Sequence, residues 1–311
     1  MTTRVLVTGG AGFLGSHYVR ALLGPHGPPD VDVTVLDLRE PRDPCPCAYV
    51  RGDICDSRLV GTLVPEHDQV VHFAARTPLD GRDDGFVRTN VLGTHTLLDA
   101  ALRHGLRTFV HVSTDEVYGS IRAGSWPETD PLRPISPYAA SKAAADLLAL
   151  SYHRTHGLDV RVVRGAATYG PRQWPDQVVP LLVIRLLQGR PVRPSVGGPG
   201  VRDWIHVDDH VRGIELVRTR GRPGEVYNIG GDERSDRELT ALLLGECGAH
   251  WHLVESTGAP EGQGGRCSVD FTKIRTELGY TAGKDLTTGL AETVAWYRTH
   301  RSWWEPLLRA A

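Results

Sequence analysis

The chain has few lysines: of its 35 basic residues only Lys142, Lys273 and Lys284 are lysine, and the other 32 are arginine. A genomic leaning toward arginine codons accounts for that, and it makes each remaining lysine informative. Cysteine is sparse and odd in number. Cys45, Cys47, Cys55, Cys247 and Cys267 are scattered through 311 residues without a C-x-x-C pair, which excludes a disulfide framework. The spacing of Cys45, Cys47 and Cys55 fits no zinc pattern, so no metal site is expected. No apolar run approaches the roughly 18 residues of a membrane span, and no membrane partner is expected. Met1–Val7 runs straight into a strand-like segment with no small-residue cleavage site, which points to a cytoplasmic protein. A net charge of −2 excludes nucleic-acid binding as the main purpose. With 40% hydrophobic and 23% charged residues, the composition is that of an ordinary globular chain and excludes wholesale disorder.

What is present alternates. Apolar strand candidates at Arg4–Val7, Val33–Leu36, Tyr49–Arg51, Gln69–Phe73, Thr108–Val112 and Val160–Arg164 are separated by helical stretches at Phe13–Leu23, Gly93–Arg103 and Pro137–His156. Strands spaced by helices need crossover connections, hence an α/β fold with a doubly wound parallel sheet. After about residue 165 prolines and glycines multiply, and the second half reads as a smaller, loop-rich α/β lobe for substrate. Helices are expected there at Val178–Leu187 and at Asp209–Val217, the latter capped by Asp208. The expected division is a doubly wound domain over 1–165, which Gly9, Gly12 and Gly15 at the first strand–helix junction mark as a dinucleotide-binding Rossmann domain, and a lobe mainly over 166–311. A strand at Val226–Ile229 is expected to return to the main sheet.

Thr8-Gly9-Gly10-Ala11-Gly12-Phe13-Leu14-Gly15 closes the first strand and opens the first helix. Glycines there allow a tight turn and close approach of a diphosphate to the helix N-terminus, whose N–H groups favour an anion. Asp37, about 20 residues on, can accept from ribose hydroxyls and would repel a 2′-phosphate, which predicts NAD over NADP. Asp53 follows the third strand, where an adenine contact is expected. Tyr138 and Lys142 lie one helical turn apart on one face. A lysine beside a phenol favours the phenolate and makes a general base. Ser113-Thr114-Asp115-Glu116-Val117-Tyr118-Gly119 follows the fifth strand, where ligands bind in open α/β sheets.

These segments, with Ser136-Pro137-Tyr138-Ala139-Ala140-Ser141-Lys142, Arg202-Asp203-Trp204 and Tyr227-Asn228-Ile229-Gly230-Gly231, resemble the extended short-chain dehydrogenase/reductases. More narrowly they resemble the dTDP-glucose 4,6-dehydratases of bacterial deoxysugar antibiotic pathways. The resemblance implies an NAD-dependent lyase acting on a nucleotide sugar, and a homodimer through the helices Gly93–Arg103 and Pro137–His156. It implies that Tyr138 takes the C4 hydroxyl proton, Lys142 lowers the Tyr138 pKa, Thr114 holds the C4 oxygen, Glu116 removes the C5 proton and Asp115 protonates the leaving C6 hydroxyl. It also implies cofactor contacts at Gly9, Gly12, Phe13, Leu14, Gly15, Asp37, Asp53, Ile54, Phe73, Ala74, Ala75, Asn90, Tyr138 and Lys142. Substrate contacts are implied at Arg76, Arg82, Arg172, Arg202 and Arg266, with Arg202 the diphosphate anchor because a guanidinium fork suits phosphate oxygens.

Three segments depart from the family pattern: Arg76–Arg82, Ala167, and Glu261–Gly265. All three face substrate in the family, so an altered substrate preference is expected, with Arg76 or Arg82 meeting an extra anionic group. Two other readings stay open. A nucleotide-sugar 4-epimerase or C6-decarboxylase is suggested by Tyr169-Gly170-Pro171-Arg172-Gln173, with Asp115 against it. A silent NAD-sensing protein on the same fold would tend to lose the Tyr or the Lys.

Overall fold

Strand β1 (Thr3–Thr8) is the hub of the chain, with Val5, Leu6 and Val7 fully buried. The computed structural model describes residues 2–43, 45–78, 85–194, 200–255 and 265–308. Around β1 stand β2 (Val31–Asp37), β3 (Ala48–Arg51), β4 (Gln69–His72), β5 (Thr108–Thr114), β6 (Val160–Gly165) and β9 (Val226–Ile229). Their order is β3-β2-β1-β4-β5-β6-β9, and every pairing is parallel. The order reverses next to β1, and at such a point a doubly wound sheet opens a crevice beyond its strand ends.

Apolar runs such as Val5–Val7 are buried on both faces because helices cover both sides. On one face α1 (Phe13–Leu23) packs beside α6 (Val207–Arg220), with Tyr18, Val19, Leu22, Val211, Ile214 and Val217 buried together. On the other lie α2 (Ser57–Leu63), α3 (Thr94–Arg103) and α4 (Pro137–His156). A π-helical segment, Val87–Gly93, leads into α3, so Gly93 precedes that helix rather than opening it. Helix α4 starts where expected because Ser136 Oγ accepts the Ala139 N–H at 3.1 Å and Pro137 takes the first helical position.

The second half is more regular than its Pro/Gly content suggests. It contains α5 (Val178–Leu187), α7 (Asp236–Cys247), α8 (Thr272–Leu278), α9 (Leu286–Thr299) and α10 (Arg301–Leu308). It also builds a second sheet, in which β8 (Val201–His206) pairs with β7 (Ala167–Tyr169), β10 (Asp232–Ser235) and β11 (Arg266–Cys267). The expectation of a loop-rich lobe is corrected accordingly. So is the start of α6: it begins at Val207, and the cap is His206, whose Nδ1 accepts the Asp208 N–H at 3.2 Å. Asp208 is already the second residue of the helix, where its carboxylate instead accepts from Lys284 Nζ at 2.8 Å.

Candidate active site

The glycine loop is shaped by backbone contact. Gly9 has φ 73°, and a Cβ there would sit 2.5 Å from the Ala74 nitrogen, so no other residue fits. Helix α1 follows Gly12, which has no side chain to satisfy the first N–H groups at Phe13 and Leu14. Those donors and the helix dipole suit a diphosphate. Asp37 ends β2 with both carboxylate oxygens fixed, one by the Ala11 N–H and one by the Arg39 N–H, each at 3.0 Å. Asp53 accepts from the Cys55 N–H at 2.9 Å and pairs with Arg88 at 2.8 Å. Burial pushes its carboxyl up, but those two partners outweigh it and hold it below the usual range. Ile54 is buried against the Gly93 backbone. The residues present therefore fit a dinucleotide.

The loop after β4 carries Phe73, Ala74, Ala75 and Arg76. Phe73 N–H donates to Thr8 O, and the Phe73 ring lies 5.2 Å from that of Tyr18. Buried Asn90 braces this loop. Its Oδ1 accepts the Arg76 N–H at 2.7 Å, and its Nδ2 donates to Arg76 O and to Ser141 Oγ. All three contacts are structural, and one reaches the residue next to Lys142.

At the end of β5, Thr114 caps a single 3-10 turn, Asp115–Tyr118. Its hydroxyl accepts the Glu116 N–H at 3.3 Å and donates to Asp115 Oδ1 at 3.2 Å. The turn is anchored by Tyr118, whose OH donates to Asn228 Oδ1 at 2.9 Å and accepts from Arg164 at 2.7 Å. Two segments 110 residues apart in sequence thus meet in one buried hydrogen bond. Asp115 is 5% exposed. Burial first, then Glu116 and Asp203, raise its carboxyl to about 7 against the opposing pull of Cys267 and Arg202. Burial raises Glu116 as well, with Arg202 opposing.

Tyr138 and Lys142 share a face of α4, as expected, but their electrostatics differ from expectation. Lys142 Nζ donates to Val112 O at 2.8 Å, and burial lowers its pKa to about 8. The Tyr138 phenol is pushed up by burial, Glu116, Asp115 and Asp146, with no lowering by Lys142. Those causes place the phenol within electrostatic reach of both carboxyls. A phenolate here needs positive charge from a bound group.

Of the arginines, exposed Arg202 on β8 acts electrostatically on both Asp115 and Glu116, which puts it at the carboxyl pair. Arg266 on β11 is engaged elsewhere, donating to Gly124 O at 2.9 Å and pairing with Glu233. Arg76 is half-buried beside Asn90. Arg172 departs from expectation: it pairs at 2.9 Å with Asp43, on the loop that follows β2, and lies over Trp296 of α9. The reason is a cluster of tryptophan rings. Arg39 and Arg42 lie over Trp174, and Arg42 also lies over Trp303, so this corner draws guanidinium groups. Arg82 lies outside the described residues. Sequence reasoning missed Cys267, whose Sγ is 3.2 Å from Asp115 Oδ2, and buried Asp203, which faces the same acid. The only sequence signal for either was position: Asp203 follows Arg202, and Cys267 follows Arg266.

The NAD dependent epimerase/dehydratase family model matches residues 5–230. A dTDP-glucose 4,6-dehydratase of Streptomyces griseus is 55% identical over 324 residues, covering 100% of this chain and 98% of that protein. Among solved structures, a dTDP-glucose 4,6-dehydratase from Streptomyces venezuelae with NAD bound superposes with TM-score 0.91 at 49% identity, covering 98% of this chain and 100% of that one. A UDP-glucose 4-epimerase from Thermotoga maritima superposes at 0.86 with 31% identity, covering 95% and 99%.

Proposed function

The chain belongs to the NAD dependent epimerase/dehydratase family, and from that premise we propose the residues by which it works as an NAD-dependent nucleotide-sugar 4,6-dehydratase. The cofactor is NAD, which when bound supplies a reversible hydride store and positive charge beside the phenol, and is regenerated in each cycle. The glycine loop and the α1 N-terminus hold its diphosphate, and Asp37 holds the adenosine ribose. Tyr138 takes the C4 hydroxyl proton, with Lys142, one turn along α4, to hold the nicotinamide ribose and Thr114 the C4 oxygen. Once C4 is a ketone, the C5–H bond is α to a carbonyl and acidic enough for a carboxylate. Glu116 removes that proton, and Asp115 gives its own to the C6 hydroxyl, which leaves as water. One acid must be protonated and its neighbour ionised, which a buried pair with separated pKa values can provide. Arg202 takes the substrate diphosphate.

The observation that carries this reading is Asp115, an aspartic acid raised to about 7 beside Glu116 and within reach of Tyr138. An epimerase changes configuration at C4 alone and has no use for an acid at C6. The substrate we assign is dTDP-glucose, on which the Streptomyces griseus relative is named to act. Of the departures expected to alter that preference, most of Glu261–Gly265 and the Leu79–Arg82 stretch lie outside the described residues. Ala167, on β7 opposite Trp204, is the clearest one left.

Two finer points belong to the same proposal. The subunits pair through Val87–Arg103 and α4, where Val87, Leu92 and Leu147 are 71%, 51% and 55% exposed. The setting is the cytoplasm, where the five free cysteines stay reduced. Among the described residues no helix is long and apolar enough to cross a membrane.

The test is purified protein with dTDP-glucose, UDP-glucose and UDP-glucuronate, products read by mass. Loss of water from dTDP-glucose in preference to the others is expected. An unchanged mass with inverted C4 indicates an epimerase, loss of CO2 a decarboxylase, and either overturns the assignment. Efficient turnover of another nucleotide sugar above dTDP-glucose, restored toward dTDP-glucose by Ala167→Asn, identifies an altered preference.

A further inference from the structure

The acid of this reaction is held at both oxygens by groups from different parts of the chain. Thr114 donates to Oδ1 at 3.2 Å, and Cys267 lies 3.2 Å from Oδ2. Cys267 gets there through β11, only two residues long, whose parallel register sets Cys267 beside Arg202 of β8. The contact therefore spans the cleft, from the second sheet to the end of β5. The charged and titratable groups facing Asp115 are Glu116 on its own turn, Arg202 and Asp203 on β8, Cys267 on β11 and Tyr138 on α4. Of these, Cys267 is in hydrogen-bond contact with the carboxyl.

We infer that Cys267 is a positioning residue for catalysis: its thiol holds Asp115 Oδ2 and sets how readily that carboxyl gives up its proton to the departing C6 hydroxyl. The inference rests on the assignment of Asp115 as the acid. A thiol suits the task because it is both a weak donor and a weak acceptor. Burial and the Asp115 charge push the Cys267 thiol up, so it stays protonated and can donate to the ionised carboxylate. When the proton is on Asp115, the carboxyl O–H can donate a hydrogen bond to the sulfur. One contact thus serves before and after transfer. A strong donor in its place would favour the carboxylate and spoil the acid. A hydrocarbon would leave Oδ2 unpaired in a buried site and make the acid reluctant to ionise.

The two changes have opposite signs, which gives the test. Activity requires protonated Asp115 and falls as pH rises through its pKa, so the basic limb of the kcat–pH profile reports it. Cys267→Ala should move that limb up by about half to one pH unit, the equivalent of one modest hydrogen bond. Cys267→Ser, a stronger donor, should move it down by a similar amount. Limbs that superimpose on the unmodified enzyme, or that move the same way in both variants, overturn the inference. The Asp115 carboxyl is also titrated in the resting holoenzyme by infrared difference spectroscopy, with Asp115→Asn as the blank. Opposite shifts there with unmoved kinetic limbs show that the contact exists but that Asp115 is not the acid. Unmoved titrations in both variants show that Cys267 merely fills space.

Discussion

Asp115 must be buried to be an acid near neutral pH, and burial has a thermodynamic signature. Its folded pKa of about 7 lies above the value of about 4 that a carboxyl has in an unfolded chain. The folded state therefore binds this proton more tightly. Stability attributable to the group is present below pH 4, is lost as pH rises to 7, and stays lost above that. Asp115→Asn keeps the shape and removes the charge. It should raise stability by on the order of 2–4 kcal/mol at pH 8 and by much less at pH 5, measured by thermal melts. Equal gains at the two pH values would mean that the carboxyl titrates normally. The same variant, and Glu116→Gln, should still oxidise C4 and stall before elimination, so quenched reactions should contain a sugar lighter by two hydrogens with its C6 oxygen kept. Tyr138→Phe should yield no oxidised sugar at all. Asp37→Ala should weaken NAD by about 1.5–3 kcal/mol, the scale of a charged hydrogen bond, and narrow the preference over NADP in a binding titration. The residues proposed for the chemistry, Thr114, Asp115, Glu116, Tyr138 and Lys142, could be singled out in the sequence because each lies in a local motif on one element. Cys267 and Asp203 were not, because their importance comes from partners across the cleft.

The elements divide the same way. Helix α4 could be bounded from sequence because a serine cap and a proline start it, and Gly157 ends it. Strand β10 could not, since Asp232-Glu233-Arg234-Ser235 is entirely polar and becomes a strand only by pairing with Val201–Trp204. The 3-10 turn bearing the acids has its own weak point. Gly119 closes it at φ 78°, and a Cβ there would lie 2.3 Å from Arg133 O. Gly119→Ala should cost about 1–3 kcal/mol of stability and shift the Asp115 and Glu116 carboxyls, lowering kcat more than it raises KM. A kcat unchanged within error would show that the turn tolerates another closure.

On the scale of the whole molecule, the doubly wound sheet was readable from alternation alone, but the traffic between the two sheets was not. The chain leaves the main sheet after β6 for β7, comes back as α6, leaves again after β9 for β10, and returns as α8 before α9. Residues 1–165 expressed alone would lack β9 and α6, baring the β6 edge and the apolar side of α1; they should aggregate, as light scattering would detect. Leu147→Glu should convert the proposed dimer to monomers in sedimentation equilibrium while sparing the fold, since Leu147 is exposed in the single chain. The repeated crossing also has a mechanical consequence. Two bodies joined by one linker can rotate freely, but a joint of several strands resists torsion and yields only by slight bending. Arg202 and Cys267 ride on one side of that joint and Asp115 on the other. Misplacement of about 1 Å can slow a reaction about 100-fold, so stiffness here is alignment tolerance. The braided backbone works as a machinist's jig, keeping Asp115, Glu116 and Arg202 in fixed relation across the cleft.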